Sequence, residues 1–291
     1  MKTEMEIPVL FLKTVALRPY VFVFMGAFLF AAIVSIGLRR TLVFMFGTWV
    51  VAFLSEICST RTGFPYGLYH YTESTRGEEL FLSNVPFMDS LSFTFLLFAS
   101  FSTALFFLSP LKVSRRDVQI ADTFAIRRSW KTLVLTALFM MLIDFVIDPV
   151  ALRGDRWFLG RIYFYDKPGA YFGVPLSNAL GWGLVGFVAT WIYQRIEGNW
   201  LGAGFRDSGI RILPFQGLYG LGLYFGVLAF NLFMTGWIGE RGLLIAGIFL
   251  YLLPITLLIF RWSDPRVRAT EDEWSEHLRD FGFSSSKDKI G

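Results

Sequence analysis

The chain is poor in the residues that many protein chemistries need. It has a single cysteine, Cys58, so neither an internal disulfide nor a thiolate metal cluster can form. Its only histidines, His70 and His277, are too few for the multi-imidazole clusters of membrane di-iron enzymes. Charged residues make up only 17% of the chain, and the net charge of +4 comes with no concentrated basic stripe, so no nucleic-acid partner is expected. Residues 213–260 contain no lysine, which argues against a retinal Schiff base. Glu4 and Glu6 near the start, and no cleavage site after the first apolar block, speak against a secretory signal peptide, and that block is expected to stay as a helix.

What the chain has instead is apolar length. Hydrophobic residues make up 54% of it and 33 are Phe, in long blocks rather than amphipathic alternation. Seven blocks are candidates to cross a membrane: 20–37, 42–57, 86–108, 131–150, 174–193, 213–234 and 243–260. The first two are short against the roughly 20 residues a spanning helix needs, and residues 7–17 would make an eighth if they insert. The expected fold is all-α, a polytopic membrane helix bundle over residues 1–262 followed by a polar tail over 263–291. Of the lysines and arginines, 17 lie on the side holding the 109–130 loop, the 195–212 loop and the tail, against 10 on the other, which places the tail in the cytoplasm. Asp264-Pro265 reads as a helix start, and Trp274, Leu278 and Phe281 form one stripe of a helix expected to lie on the membrane surface.

Against this background the buried acids stand out. Asp144 and Asp148 are spaced i and i+4 at the end of an apolar run, so both face the same way, where poor solvation costs a few kcal/mol each. At about 1.5 Å per residue, Glu56 lies about 20 Å into the second helix and the two aspartates about 20 to 25 Å into the fourth. The third and fifth helices run back, with Asp89 and Asn178 about 5 to 7 Å from their starts, and Asn231 lies near the far end of the sixth. All six polar residues therefore occupy one layer near the non-cytoplasmic face. The plainer alternative is that these acids snorkel to the interface, or pair with Arg61, Arg153 or Arg156, and only hold helices together.

Two loops border that layer. One reads Gly63-Phe64-Pro65-Tyr66-Gly67-Leu68-Tyr69-His70-Tyr71. The other contains Trp157, Tyr163-Phe164-Tyr165 and Tyr171-Phe172-Gly173, leading into Val174-Pro175-Leu176-Ser177-Asn178 and Gly181-Trp182. Val85-Pro86 likewise stands three residues ahead of Asp89, which suggests an internal repeat enclosing one cavity, although Pro also favours a first helical turn by itself. Trp and Tyr belts form at any membrane interface, but here they are interleaved with glycines that let rings fold over the acids. Aromatic faces stabilise cations, so an acid in such a pocket could protonate an alkene and shelter the carbocation. Gly217, Gly220, Gly222 and Gly226 imitate a nucleotide fingerprint inside an apolar helix and are expected to be packing glycines.

From Glu56 through Asp144, Asp148-Pro149, Trp157 and the Tyr171 to Asn178 stretch to Gly181-Trp182, the chain resembles the bacterial and archaeal carotenoid biosynthesis membrane proteins that include the carotenoid 1',2'-hydratases. The resemblance covers about residues 45–195 and is most specific between Asp144 and Trp182. It implies cofactor-free addition of water to the terminal double bond of an acyclic carotenoid, giving a tertiary alcohol, in the cytoplasmic membrane. Asp144 or Glu56 would donate the proton, and Asp148 with Asn178 would deliver water. Tyr66, Tyr69, Asp89, Trp157, Tyr171 and Trp182 would hold the substrate. No metal and no cofactor are called for; the expected partners are the polyene, membrane lipid and other enzymes of carotenoid synthesis. Two rival readings remain: a membrane prenyltransferase using Asp144 and Asp148 to hold Mg²⁺, which lacks a second Asp-rich cluster, and a proton-coupled carrier.

Overall fold

The computed structural model describes residues 7–199 and 213–281. The helices are α1 (Ile7–Leu17), α2 (Pro19–Ile36), α3 (Leu38–Thr62), α4 (Phe87–Leu108), α5 (Phe124–Arg127), α6 (Trp130–Ala151), α7 (Leu176–Asn199), α8 (Tyr219–Trp237), α9 (Arg241–Ser263) and α10 (Glu271–Phe281). Six strands of two to four residues complete it: β1 (Tyr69–Tyr71), β2 (Phe81–Leu82), β3 (Val85–Pro86), β4 (Leu111–Ser114), β5 (Asp117–Ile120) and β6 (Tyr163–Tyr165). The 195–212 loop counted above for orientation, and the tail beyond 281, fall partly or wholly outside the described residues.

Helices α2, α3, α4, α6, α8 and α9 are each long and apolar enough to cross a membrane. Helix α7 is of similar length, with 24 residues, but is diluted by Asn178, Gln194, Glu197 and several glycines. The protein is thus an all-α polytopic membrane bundle built from these seven long helices. Helix α1 has 11 residues and so reaches about 16 Å, roughly half a bilayer. It packs back on the bundle through Phe11, which meets Phe22 and Phe87 edge-on.

The centre of the bundle is α4, most of whose span is buried, with α2, α3, α6 and α8 packed around it. Rings fill the middle: Phe44 sits against Phe28, Phe98, Phe101 and Tyr193. Such close aromatic pairs add dispersion and quadrupole attraction where lipid offers no hydrophobic drive between helices. The chain alternates direction, so one end of the bundle collects the loops after α3 and α6 and the other collects the β4–β5 hairpin, α5 and α10. We call these the aromatic end and the hairpin end.

Four helices form an approximate two-fold. Helix α3 packs on α4 and α7, and α6 packs on α7 and α4. The two aromatic triads pair antiparallel about their middle residues, Tyr69 with Tyr165, His70 with Phe164 and Tyr71 with Tyr163. Val85-Pro86 leads into α4 and Val174-Pro175 into α7, with Asp89 and Asn178 three residues beyond each proline. Four residues after those, Phe93 and Trp182 touch across the axis with ring centroids 4.5 Å apart.

Buried ion pairs lock both ends. At the aromatic end the fully buried Arg18 pairs with Glu79 at 3.0 Å and donates to the carbonyl of Leu159. At the hairpin end Arg127 bridges Asp122 and Glu197, each at 2.9 Å, and Tyr193 Oη donates to Glu197 at 3.0 Å. The tail helix α10 docks there. Lys112 Nζ stands 4.4 Å above the Trp274 ring, His277 Nδ1 lies 3.2 Å from Asp122 Oδ1, and Phe281 packs on Phe124. Two of the three stripe residues, Trp274 and Phe281, thus pack on the protein itself.

Candidate active site

At the aromatic end a cavity of about 140 Å³ lies between α2, α3, α4, α6, α7 and α8. Of the six residues that depth counting places in one layer, Glu56, Asp89, Asp148, Asn178 and Asn231 all line it. The sixth, Asp144, lies outside the lining, one hydrogen bond behind. Asn178 uses both hydrogens of its amide, donating to Asp144 Oδ1 at 2.8 Å and to Asp148 Oδ2 at 2.6 Å. One side chain thereby orients two carboxyl groups that their i, i+4 spacing on α6 already sets on one face.

Glu56 reaches the cavity from α3 and is held differently. Tyr71 Oη donates to its Oε1 at 3.3 Å and the Ser90 hydroxyl lies beside the carboxyl, while the buried Oε2 has no partner in hydrogen-bond geometry among the described residues. An unsatisfied buried carboxyl oxygen costs free energy, which makes it a place where a proton, water or substrate is expected. The ion pairs of the plainer alternative do not form among the described residues: Arg153 and Arg156 both pair with Glu240, Arg153 Nε at 3.2 Å.

The roof is the β1–β6 ribbon. Because side chains alternate along a strand, Tyr69, Tyr71, Tyr163 and Tyr165 all point into the cavity, whereas His70 faces outward and pairs with Asp166. Burial pushes the phenols of Tyr69, Tyr71 and Tyr163 above their usual range, so they act as neutral hydrogen-bond donors. Tyr163 Oη donates to the backbone carbonyl of Asp148 at 3.4 Å.

Below the roof, Tyr66 inserts between α3 and α7, its N–H donating to Ser59 Oγ at 2.8 Å. Gly181 permits this, since a Cβ there would stand 2.6 Å from the Tyr66 ring and 2.8 Å from the Pro65 carbonyl. Trp182 and Phe93 form one wall, and Trp157 closes another, its Nε1 donating to the Val150 carbonyl at 3.1 Å. Tyr171 is the expected site residue that the fold keeps away: it packs edge-on against Phe145, outside the lining. Sequence reasoning missed Tyr20, Phe24 and Phe230, which form the apolar wall between α2 and α8. Nothing in their sequence context separates them from ordinary lipid-facing rings.

Among the described residues no group of three or more His, Cys, Asp or Glu is placed to hold a metal ion. The donor set is instead carboxyl, carboxamide and phenol, a set that moves protons and orients water. Fold and cavity together define an integral membrane protein with carboxyl groups set at the bottom of an aromatic pocket. The chain belongs to the carotenoid biosynthesis protein family, whose sequence profile matches residues 17–254. It is also 30% identical over 249 residues to the bisanhydrobacterioruberin hydratase of Haloarcula japonica, an alignment covering 80% of this chain and 72% of the relative. No solved structure matches the chain.

Proposed function

We propose that this protein is a carotenoid hydratase that adds water across the terminal 1',2' double bond of an acyclic carotenoid end, giving a tertiary alcohol. The observation that carries this reading is the pair of differently held carboxyl groups lining one aromatic cavity. Glu56 has a free oxygen, whereas Asp148 is fixed by Asn178. Two carboxyls in unlike surroundings are how one site supplies both an acid and a base. The family is one of carotenoid biosynthesis and the named relative is a hydratase, which supports the hydration part of this reading.

In this mechanism protonated Glu56 gives its proton to the less substituted alkene carbon, and the π pair forms the new C–H bond. The tertiary cation left behind is sheltered by Trp182, Phe93 and the tyrosine roof, whose ring faces carry negative charge density. A water held by Asp148 and Asn178 attacks the cation and passes one proton to Asp148, and return of a proton to Glu56 closes the cycle. Asp144 acts through Asn178 as a positioning residue, so of the two proton donors the sequence offers, Glu56 is the one at the cavity. No step calls for a metal or nucleotide.

The test is pigment mass spectrometry after expression in a lycopene-producing host. A gain of one water per modified end is expected. A prenyl-sized gain would replace hydration by prenyl transfer, and an unchanged pigment together with proton leak in vesicles would replace it by carriage.

A further inference from the structure

Each hydration moves a proton from Glu56 to the alkene and leaves another, from water, on Asp148. Glu56 therefore ends the turnover ionised and Asp148 neutral. The two carboxyls stand on different helices, α3 and α6, and an apolar chain end seated between them expels the water that would otherwise carry the proton back.

Hydroxyls of the β1–β6 ribbon reach from one carboxyl towards the other. At the acid, Tyr71 Oη donates to Glu56 Oε1 at 3.3 Å. A phenol has only one hydrogen to give, so in the 3.4 Å contact between Tyr69 Oη and Tyr71 Oη it is Tyr69 that donates. Tyr69, Tyr71 and Glu56 thus form a chain whose hydrogens all point at the acid. At the base, Tyr163 Oη donates to the backbone carbonyl of Asp148 at 3.4 Å and lies beside the Asp148 carboxyl. Tyr69 is the ring in the middle, edge-on to Tyr71 at 5.4 Å and to Tyr163 at 5.7 Å between centroids. The strand register brings this about, since Tyr71 is the direct cross-strand partner of Tyr163 and all three side chains line the cavity. Burial holds these phenols above their usual range. A proton therefore crosses them by a concerted hop, each O–H bond breaking as the next forms, and no phenolate accumulates.

We propose that Tyr163, Tyr69 and Tyr71 carry the proton from Asp148 back to Glu56 and so reset the site between turnovers. The Asp148 carboxyl gives its proton to Tyr163 Oη, and Tyr163 passes its own hydrogen to Tyr69 through one cavity water between the two hydroxyls. Tyr69 passes its hydrogen to Tyr71, and Tyr71 passes its hydrogen to Glu56. One proton leaves Asp148, one arrives at Glu56, and every phenol keeps one hydrogen. The relay rests on the hydratase reading and gives the roof a task beyond sheltering the cation.

The test follows product per mole of full-length enzyme in detergent, mixed with excess lycopene and quenched at successive times. Tyr163→Phe removes one relay hydroxyl and keeps the ring. Because Glu56 starts protonated, this variant is expected to give a burst of about one product per enzyme, then a slow phase at least about ten-fold below the wild-type rate. Formate, an acid small enough to reach an ionised Glu56, is expected to speed the slow phase at constant pH and to leave the wild type unchanged. His70→Ala, on the outward side of the same ribbon, is the control and is expected to show neither burst nor loss. The relay is overturned, with hydration left standing, if Tyr163→Phe keeps the wild-type steady rate or loses first and later turnovers equally, as a misplaced ring would. It is also overturned if Asp89→Asn shows the burst and Tyr163→Phe does not, since Asp89 lies beside Tyr71 as well and would then be the proton source. Wild-type enzyme that makes no hydrated product sinks the hydratase reading and the relay with it.

Discussion

At the scale of residues, the arrangement of donors decides the chemistry. Asn178 spends both amide hydrogens on Asp144 and Asp148, while Glu56 keeps one oxygen without a hydrogen bond among the described residues. Glu56→Gln keeps shape and removes the acid, so turnover is expected to fall about 10²- to 10⁴-fold, the range of a lost general acid. Asp144→Asn acts at one remove and is expected to cost less, roughly ten- to a hundred-fold. Product yield per mole of extracted protein checks both, and a Glu56→Gln variant that keeps wild-type yield removes Glu56 from the mechanism. Depth counting finds these residues because a buried acid is costly enough to be informative wherever it stands. It cannot find Tyr20, Phe24 or Phe230, or exclude Tyr171, because an aromatic costs nothing at an interface and only the path of the chain decides what it touches.

At the scale of elements, the apolar blocks fall on the long helices, and their errors have physical causes. Block 42–57 is short only because Arg39, Arg40 and Arg61 interrupt the apolar count, and α3 continues through them to 25 residues. Block 213–234 starts early because Leu213 to Leu218, apolar but for Gln216, form coil and a single 3₁₀ turn before α8. The β1–β6 ribbon spans only three residues on each side, too few for period-two alternation to distinguish it from loop. Helix α10 carries its own prediction. Burial alone would raise the Asp122 carboxyl, but the hydrogen bond and charge of His277, with those of Arg127, outweigh it and hold it below the usual range. A carboxyl depressed on folding stabilises above its unfolded value of about 3.9, and that stability is lost as pH falls through the folded value. Docking of α10 is therefore expected to persist at pH 5 to 7 and to weaken only below about pH 4, read by protease cleavage between α9 and α10. Asp122→Asn should bring the same cleavage at neutral pH, and equal resistance in that variant would show that Trp274 and Phe281 suffice to hold the helix.

At the scale of the whole molecule, the pseudo-two-fold explains why acids from helices far apart in sequence share one cavity: α3–α4 and α6–α7 deliver equivalent positions to the axis, where Asp89 answers Asn178 and Phe93 answers Trp182. All of them lie at the aromatic end, so the face of the membrane from which water reaches the site depends on orientation. Counted along the sequence, the side with the β4–β5 hairpin and the tail carries 17 of the lysines and arginines against 10, so the aromatic end is expected to lie outside. Ser74 in the loop after β1 and Arg115 in the β4–β5 hairpin are both exposed, and Cys58 is the only thiol to remove. In a Cys58→Ser background, a membrane-impermeant maleimide added to intact cells is expected to label Ser74→Cys at once and Arg115→Cys only after permeabilisation. The reverse pattern would invert the protein without disturbing the cavity, because Glu56, Asp148 and Asn178 are held by one another's helices rather than by either leaflet. What would change is the supply of protons and water, which would then reach the tyrosine roof from the cytoplasm.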